Sequence, residues 1–342
     1  MAADRPEPRP MRVALLAVTD GGQRLAAKIA QGLPGSEVIA ARTGLGELLA
    51  GIWPRYDGFV FVMAAGIVVR LIAPLLQDKR TDPCVVVVDE KGRFAISLLA
   101  GHLGGGNALA GRVAVITDGQ EVITTASDTL GLTALDLWAR EQGLAAEGQA
   151  PLTRASAQLV NAGSLRVYLD GWSLPLPTDF IGVADPAGAD CIVSNRLGDW
   201  PAAALLLRPR NLVVGIGCNR GTGREQIEAA LGEALREHGL SELAVRNLAS
   251  IDLKADEAGL IAFAEARGLR IDFYNKDQLN GVAGVSRSDT VLRATGAQGV
   301  AEPAALLSAG GNKLLVRKMK WKDVTIAVAE APCTWSAPAP AA

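Results

Sequence analysis

The stretch "RVALLAVTDGGQRLAAKIAQGL", residues 12–33, opens on an uninterrupted apolar run, Val13 to Val18, and continues with apolar residues at helical spacing until Pro34-Gly35. A strand that is apolar on both faces must be covered on both, as in parallel sheets flanked by helices. The same alternation recurs downstream: "EVIA", "GELLAGIW", "GFVFVM", "GIVVRLIAPLL", "CVVVVD", "FAISL", a helix opening near Asn107, "EVITTA" and "LTALDLWAREQG". The pattern predicts an α/β fold whose N-terminal domain, residues 11–144, is a mostly parallel sheet with helices on both faces. From 145 to 210 the pattern weakens into short runs separated by Gly, Pro and Asp, which reads as a small middle domain or linker. A second α/β domain is expected over 211–330. Residues 1–10 and 331–342 read as disordered tails.

The chain has 342 residues, enough for two or three domains at roughly 150 residues each. Hydrophobic residues make up 49% but aromatic ones only 4%, so an aliphatic core is expected. A net charge of −2 without a long block of either sign argues against nucleic acid as a partner. The cysteines, Cys84, Cys191, Cys218 and Cys333, lie far apart and form no CxxC pair, so they read as reduced thiols of a cytoplasmic protein. The apolar run Phe59 to Val69 is well short of the ~20 residues that span a bilayer, and no membrane association is expected.

Chemistry concentrates in two places. In the first, Gly66, Arg70, Lys79, Asp82, His102, Gly104, Gly105, Gly106 and Asn107 fall in connections before or after three strands, and ligands of open parallel sheets bind beyond the carboxyl ends of strands. Glycines allow backbone amides to approach an anion, and a helix opening at Asn107 adds its dipole. His102 reads either as a base that activates water or as a pin for its turn. Downstream, "TTASD" brings Thr124, Thr125, Ser127 and Asp128 to a strand end, where they either serve the site or cap the next helix.

The second place is "VVGIGCNRGTG", residues 213–223. Its spacing, GxGxxxGxG, is not the dinucleotide fingerprint GxGxxG. It reads as an anion-receiving strand–turn–helix, with Gly217, Arg220, Gly221 and Thr222 as the contacts, and Thr222 and Glu225 fit a capping box. Cys218 reads as a packed thiol. His238 closes the following helix, where its charge suits the dipole. Glu302 before Pro303 reads as a helix opening. No P-loop, HExxH or sequential Ser-His-Asp pattern occurs.

Together these segments resemble the cobalt-precorrin-5A hydrolase family of cobalamin biosynthesis (CbiG). "MAAGIVVRLIAPLLQDKRTDPCVVVVDEKGRFAISLLAGHLGGGNALA", residues 63–110, is similar to the family's N-terminal hallmark. "VVGIGCNRGTG", "LASIDLKADEAGLIAFA" and "VAEPAALLSAGGNKLLVRKMKWKDVTIAVA" are similar to its C-terminal domain. The chain departs from the family pattern at Ala65, Gly106 and Asn219. The resemblance implies a cobalt-bearing tetrapyrrole as substrate, whose acetate δ-lactone is opened by water and whose bridging carbon leaves as acetaldehyde. It implies no protein-bound cofactor or metal, because cobalt arrives with the substrate. On this footing His102 is the expected base and Asp128 a second candidate, with the Gly104 to Gly106 amides facing the lactone. Arg70 and Lys79 would neutralise peripheral carboxylates. A homodimer and transient contact with other corrin-pathway enzymes are further expectations. A non-catalytic tetrapyrrole carrier uses the same residues and stays open as the alternative. A nucleotide-dependent enzyme is disfavoured by the missing motifs.

Overall fold

The computed structural model describes residues 10–40, 43–78 and 81–333, and the chain divides into two compact units at Leu137 and Trp138. The first unit contains β1 (Val13–Ala17), α1 (Asp20–Gly32), β2 (Ser36–Ile39), α2 (Leu45–Ile52), β3 (Gly58–Val62), α3 (Ala65–Ile72), β4 (Cys84–Val88), β5 (Phe94–Leu99), α4 (Gly106–Thr117), β6 (Gln120–Val122) and α5 (Ala126–Thr129). The division falls within α6 (Leu135–Glu141). The strands form one sheet in the order β2-β1-β3-β4-β5-β6.

Alternation within the buried strands explains the two-sided cover. Val13, Leu15, Val60 and Val86 pack with Ala26 and Ile29 of α1 and Leu109 and Val113 of α4. Their neighbours Ala14, Leu16, Phe59, Phe61 and Val85 face Leu49 of α2 and Val68 and Ile72 of α3 on the other side. Successive strand residues point to opposite faces, so a continuous apolar run is what two covered faces require. The second face is more aromatic than composition suggested: Trp53 stacks on Phe59 at 5.0 Å and Phe59 on Phe61 at 5.9 Å.

Two strands at one side of this mostly parallel sheet run against the rest. β1, β2, β3 and β4 are parallel, but β5 runs antiparallel to β4, and β6 then runs parallel to β5. Only Asp89 to Arg93 link β4 to β5, whereas a parallel crossover needs a dozen or more residues. Asp89 closes this turn, accepting from the amides of Lys91 at 3.2 Å and Phe94 at 2.8 Å, and Gly92 adopts φ +69°. The strand ends after Met63 and Asp89 therefore lie at one edge of the sheet, and the end after Leu99 lies at the other.

The second unit holds two further sheets. Residues expected to form a small middle domain or linker build β7 (Leu144–Ala146), α7 (Gln149–Ala162), β8 (Leu165–Leu169), β9 (Phe180–Val183), β10 (Cys191–Val193) and β11 (Leu205–Pro209), with sheet order β7-β11-β10-β8-β9. Then follow β12 (Leu212–Cys218), α8 (Arg224–Glu237), β13 (Val245–Ile251), α9 (Ala258–Arg267), β14 (Ile271–Tyr274), α10 (Lys276–Asn280), α11 (Asp289–Thr295), α12 (Ala301–Ala309), β15 (Leu314–Lys320) and β16 (Val324–Glu330), with sheet order β14-β13-β12-β16-β15. Leu212, Val214 and Ile216 of the central strand face α8 and α9, while Val213 faces α12. The described chain continues past the expected tail boundary at 330. Ala331 is buried, and its amide donates to Asn211 at 2.8 Å. Residues 1–9 and 334–342, also read as tails, lie outside the described residues. No helix among the described residues is long and apolar enough to cross a membrane.

Candidate active site

Because β5 and β6 run together, opposite to their neighbours, the loops after them meet at one edge. The first loop is built for tight packing. Ala100 sits at φ +52° and Gly105 at φ +84°, a left-handed region that costs a residue with a Cβ about 1–2 kcal/mol. The Gly105 amide donates to His102 O at 2.9 Å and the Gly106 amide to Ala100 O at 3.0 Å. A Cβ would lie 2.7 Å from Ala100 O at Gly104 and 2.8 Å from Leu99 O at Gly106. Two of the three amides expected to face a substrate oxygen are therefore committed to their own loop. The glycine run is a packing requirement that holds His102 forward.

The His102 ring stands between two carboxylates. Its Nε2 lies 2.8 Å from Asp128 Oδ2 and its Nδ1 3.4 Å from Asp136 Oδ1, with the side chain 17% exposed. Asp128 also accepts from Asn107 Nδ2 at 3.0 Å, and Ser127 Oγ lies 3.3 Å from His102 Nε2. Asp128 and Ser127 come from the short helix after β6, Asn107 from the first turn of α4, and Asp136 from α6. The Asp136 hydrogen bond, opposed by partial burial and reinforced by Asp128, raises the imidazole to about 9. Burial pushes the Asp136 carboxyl up, but the His102 hydrogen bond and charge outweigh it and hold the group below the usual carboxylate range. The ring is thus an imidazolium near neutral pH. A ring with a carboxylate at each nitrogen keeps its proton, whereas the sequence reads His102 as a base that activates water or as a pin for its turn.

The remaining candidates of the first unit are elsewhere or otherwise engaged. Gly66 and Arg70 belong to α3, which begins at the opposite sheet edge. Arg70 is exposed, and its Nη1 donates to Gly66 O at 2.8 Å. Lys79 lies outside the described residues. Asp82 pins its own turn by accepting from the Gln77 amide at 3.0 Å. It also lines a cavity of about 560 Å³ with Leu103 and Gly104, next to His102 in sequence.

At the glycine turn of the second unit, the anion is the protein's own. The Gly221 amide, at φ +78°, donates to Glu257 Oε1 at 2.8 Å, and Lys254 Nζ lies 2.9 Å from Glu257 Oε2. Glu257 is 3% exposed, and Lys254 with the Gly221 amide overcomes its burial to keep its carboxyl below the usual range. Arg220 is 64% exposed and paired with Asp256 at 2.6 Å. The expected ligand contacts Arg220, Gly221 and Thr222 are therefore occupied internally, while Gly217 lines a separate cavity. Thr222 is also not the helix cap. Its Oγ1 donates to Asn219 O at 2.8 Å, and Gly223 caps α8, its amide donating to Gln226 Oε1 at 3.0 Å. Burial pushes the Cys218 thiol up, consistent with packing and not nucleophilic chemistry. Glu302 is buried and accepts from the Lys318 amide at 2.9 Å, a tie between α12 and β15. Among the described residues no cluster of His, Cys, Asp and Glu has metal-binding geometry.

Two family models match the chain: Cobalamin synthesis G N-terminal over residues 47–128, and Cobalamin synthesis G C-terminus over 212–329. A cobalt-precorrin-5A hydrolase of Priestia megaterium is 37% identical over 304 residues, covering 83% of this chain and 81% of that one. The chain belongs to the CbiG family of cobalamin synthesis proteins. A cobalt-precorrin-5A hydrolase of Salmonella typhimurium is 31% identical over 345 residues, covering 93% and 97% of the two chains. A Protein CobE of Sinorhizobium sp is 36% identical over 121 residues, 34% of this chain and 79% of that protein. Within this CbiG-family chain the N-terminal match contains His102, Asn107, Ser127 and Asp128 and stops at Asp128. Asp136 lies beyond it, and sequence reasoning missed it. The available signal was an acidic residue inside the otherwise apolar "LTALDLWA".

Proposed function

We propose that this CbiG-family chain is a cobalt-precorrin-5A hydrolase that opens the ring-A acetate δ-lactone with water and releases the bridging carbon, with its methyl group, as acetaldehyde, giving cobalt-precorrin-5B. The observation that carries the reading is the His102 ring held between Asp128 and Asp136, a proton donor and a carboxylate base side by side at an accessible strand edge. Asp128 is 35% exposed and takes a proton from water as the water oxygen bonds to the lactone carbonyl carbon. When the ester C–O bond breaks, the departing alkoxide receives the proton of His102, whose conjugate base Asp136 steadies. In the second step the neutral ring takes the hydroxyl proton back. The C–O bond becomes the carbonyl of acetaldehyde, and the electron pair of the broken C–C bond stays on the macrocycle. The cobalt travels with the substrate, and the reading assigns none of the chain's residues to it.

Anoxic incubation with cobalt-precorrin-5A, with acetaldehyde trapped and the corrinoid weighed, tests this reading. Stoichiometric acetaldehyde with the matching mass change is expected. Tight binding without acetaldehyde would make the chain a carrier.

Ser127 invites a second reading, because its hydroxyl, His102 Nε2 and Asp136 align as nucleophile, base and orienting acid. Asp128 is closer to the same nitrogen, and a ring protonated on both sides cannot accept the serine proton. Ser127→Ala is therefore expected to keep turnover within about tenfold of wild type. A loss of about a thousandfold, with a trapped acyl-protein mass in the parent, would transfer the attack to serine.

A further inference from the structure

We propose that the cavity at the carboxyl end of β12 is a second carboxylate-binding site, taking the peripheral carboxylate arms of a polycarboxylated ring. That the ring is the corrinoid of the reaction rests on the function proposed above. The cavity has a volume of about 260 Å³ and is lined by Lys254, Lys318, Lys320 and Lys322 together with Trp321. Of these lysines only Lys254 is neutralised, by Glu257. Among the described residues the other three have no carboxylate partner. Asp323 also lines the cavity, but its oxygens are held by Asn219 at 2.9 Å and Gln226 at 3.4 Å. With Lys254 paired and one carboxylate, Asp323, set against three lysines, this half-open space keeps a net positive rim that suits an anion.

The ordinary explanation for such lysines is protection. β15 is an edge strand, and charges on an edge discourage pairing with another chain. Edge protection does not require a cavity behind the charges, however, and Lys318 is half-buried there instead of extended into water. The neighbouring glycine turn points the same way. Its amide is filled by Glu257, so positive charge free for a ligand has moved from that turn to the lysines beside it. Cavity size sets the ligand's mode. Pockets that enclose a drug-sized molecule run about 300–1,000 Å³, so this one takes carboxylate arms and one ring edge against half-buried Trp321, with the rest of the macrocycle outside.

The test uses the full chain and uroporphyrin III, an octacarboxylate ring without a lactone, followed by equilibrium dialysis. Wild type is expected to bind, more weakly as salt rises. The exposed pair Lys320→Glu/Lys322→Glu is expected to weaken binding by about tenfold or more. Lys28→Glu/Lys91→Glu, which alters net charge equally at two exposed sites in the other unit, is expected to bind as wild type does. No binding by wild type, or equal weakening in both double variants, would overturn the site. Acetaldehyde release is read separately. Its absence with lysine-dependent binding removes the hydrolase reading and keeps the site, and its presence with lysine-independent binding does the reverse.

Discussion

Asp128→Asn is expected to lower acetaldehyde release by about 10²- to 10⁴-fold, the range ascribed to a positioned acid or base. An amide preserves the shape and still accepts from His102 and Asn107, but it cannot take a proton from water. The same substitution removes one of the two carboxylates at the ring, so the His102 titration should move down from its value of about 9. The chain has only two histidines, so NMR of the ring protons, with His238→Gln for assignment, reads this directly. A fall in turnover with an unmoved His102 titration would break the link between the pair and the chemistry. The pH profile carries a sign as well. If His102 acts first as an acid, turnover declines as pH rises through about 9, whereas a resting base would gain activity over the same interval. Stability follows the same direction. A folded-state value raised above the unfolded ~6.5 contributes stability that is complete below about 6.5 and is lost as pH climbs through about 9.

Gly215→Ala is expected to destabilise the second unit severely. Gly215 lies in the central strand β12, and a Cβ there would come within 1.8 Å of Ala301 O and 3.0 Å of Ala305 Cβ. Ala301, Ala304 and Ala305 are all buried, so small residues on both partners let α12 approach the strand at backbone distance. A backbone carbonyl cannot rotate aside as a side chain can, and relief requires the helix to lift off the sheet. Overpacking typically costs about 1–3 kcal/mol, and a clash with fixed backbone stands at the upper end of that range. Gly217→Ala, two residues on, is the matched control, because its Cβ would meet nothing closer than 3.7 Å and the midpoint should barely change. Urea denaturation of both variants checks the difference. Equal midpoints would contradict the close helix–strand contact.

Much of the architecture was legible because it rests on local periodicity. Continuous apolar runs such as "CVVVV" and "LVVGI" have no polar residue to spare for a solvent face, so a sheet covered on both sides follows from the chain alone. The antiparallel turn at Asp89 was also within reach, since five residues cannot carry a parallel crossover. It was missed because strand identity was read without link length. That omission placed Gly66, Arg70 and His102 at one edge when the sheet puts them at opposite ones.

The composition of the site was less accessible. His102 and Asp128 stood out because a lone histidine beside three glycines and an acid after a strand are unusual locally. Asp136 did not, because an acid in the first turn of a helix is ordinary until folding sets it at the far nitrogen of the ring. Glu257 was hidden in the same way, lying 36 residues beyond the Gly221 amide it fills. By itself, then, the sequence determined the strand–helix alternation, the tight glycine loop and the two residues most exposed to notice. Tertiary structure decided the protonation of His102 and the neutralisation of the glycine turn. Both depend on charges brought within about 3 Å across the fold, and electrostatic energy is set by that distance and not by separation along the chain.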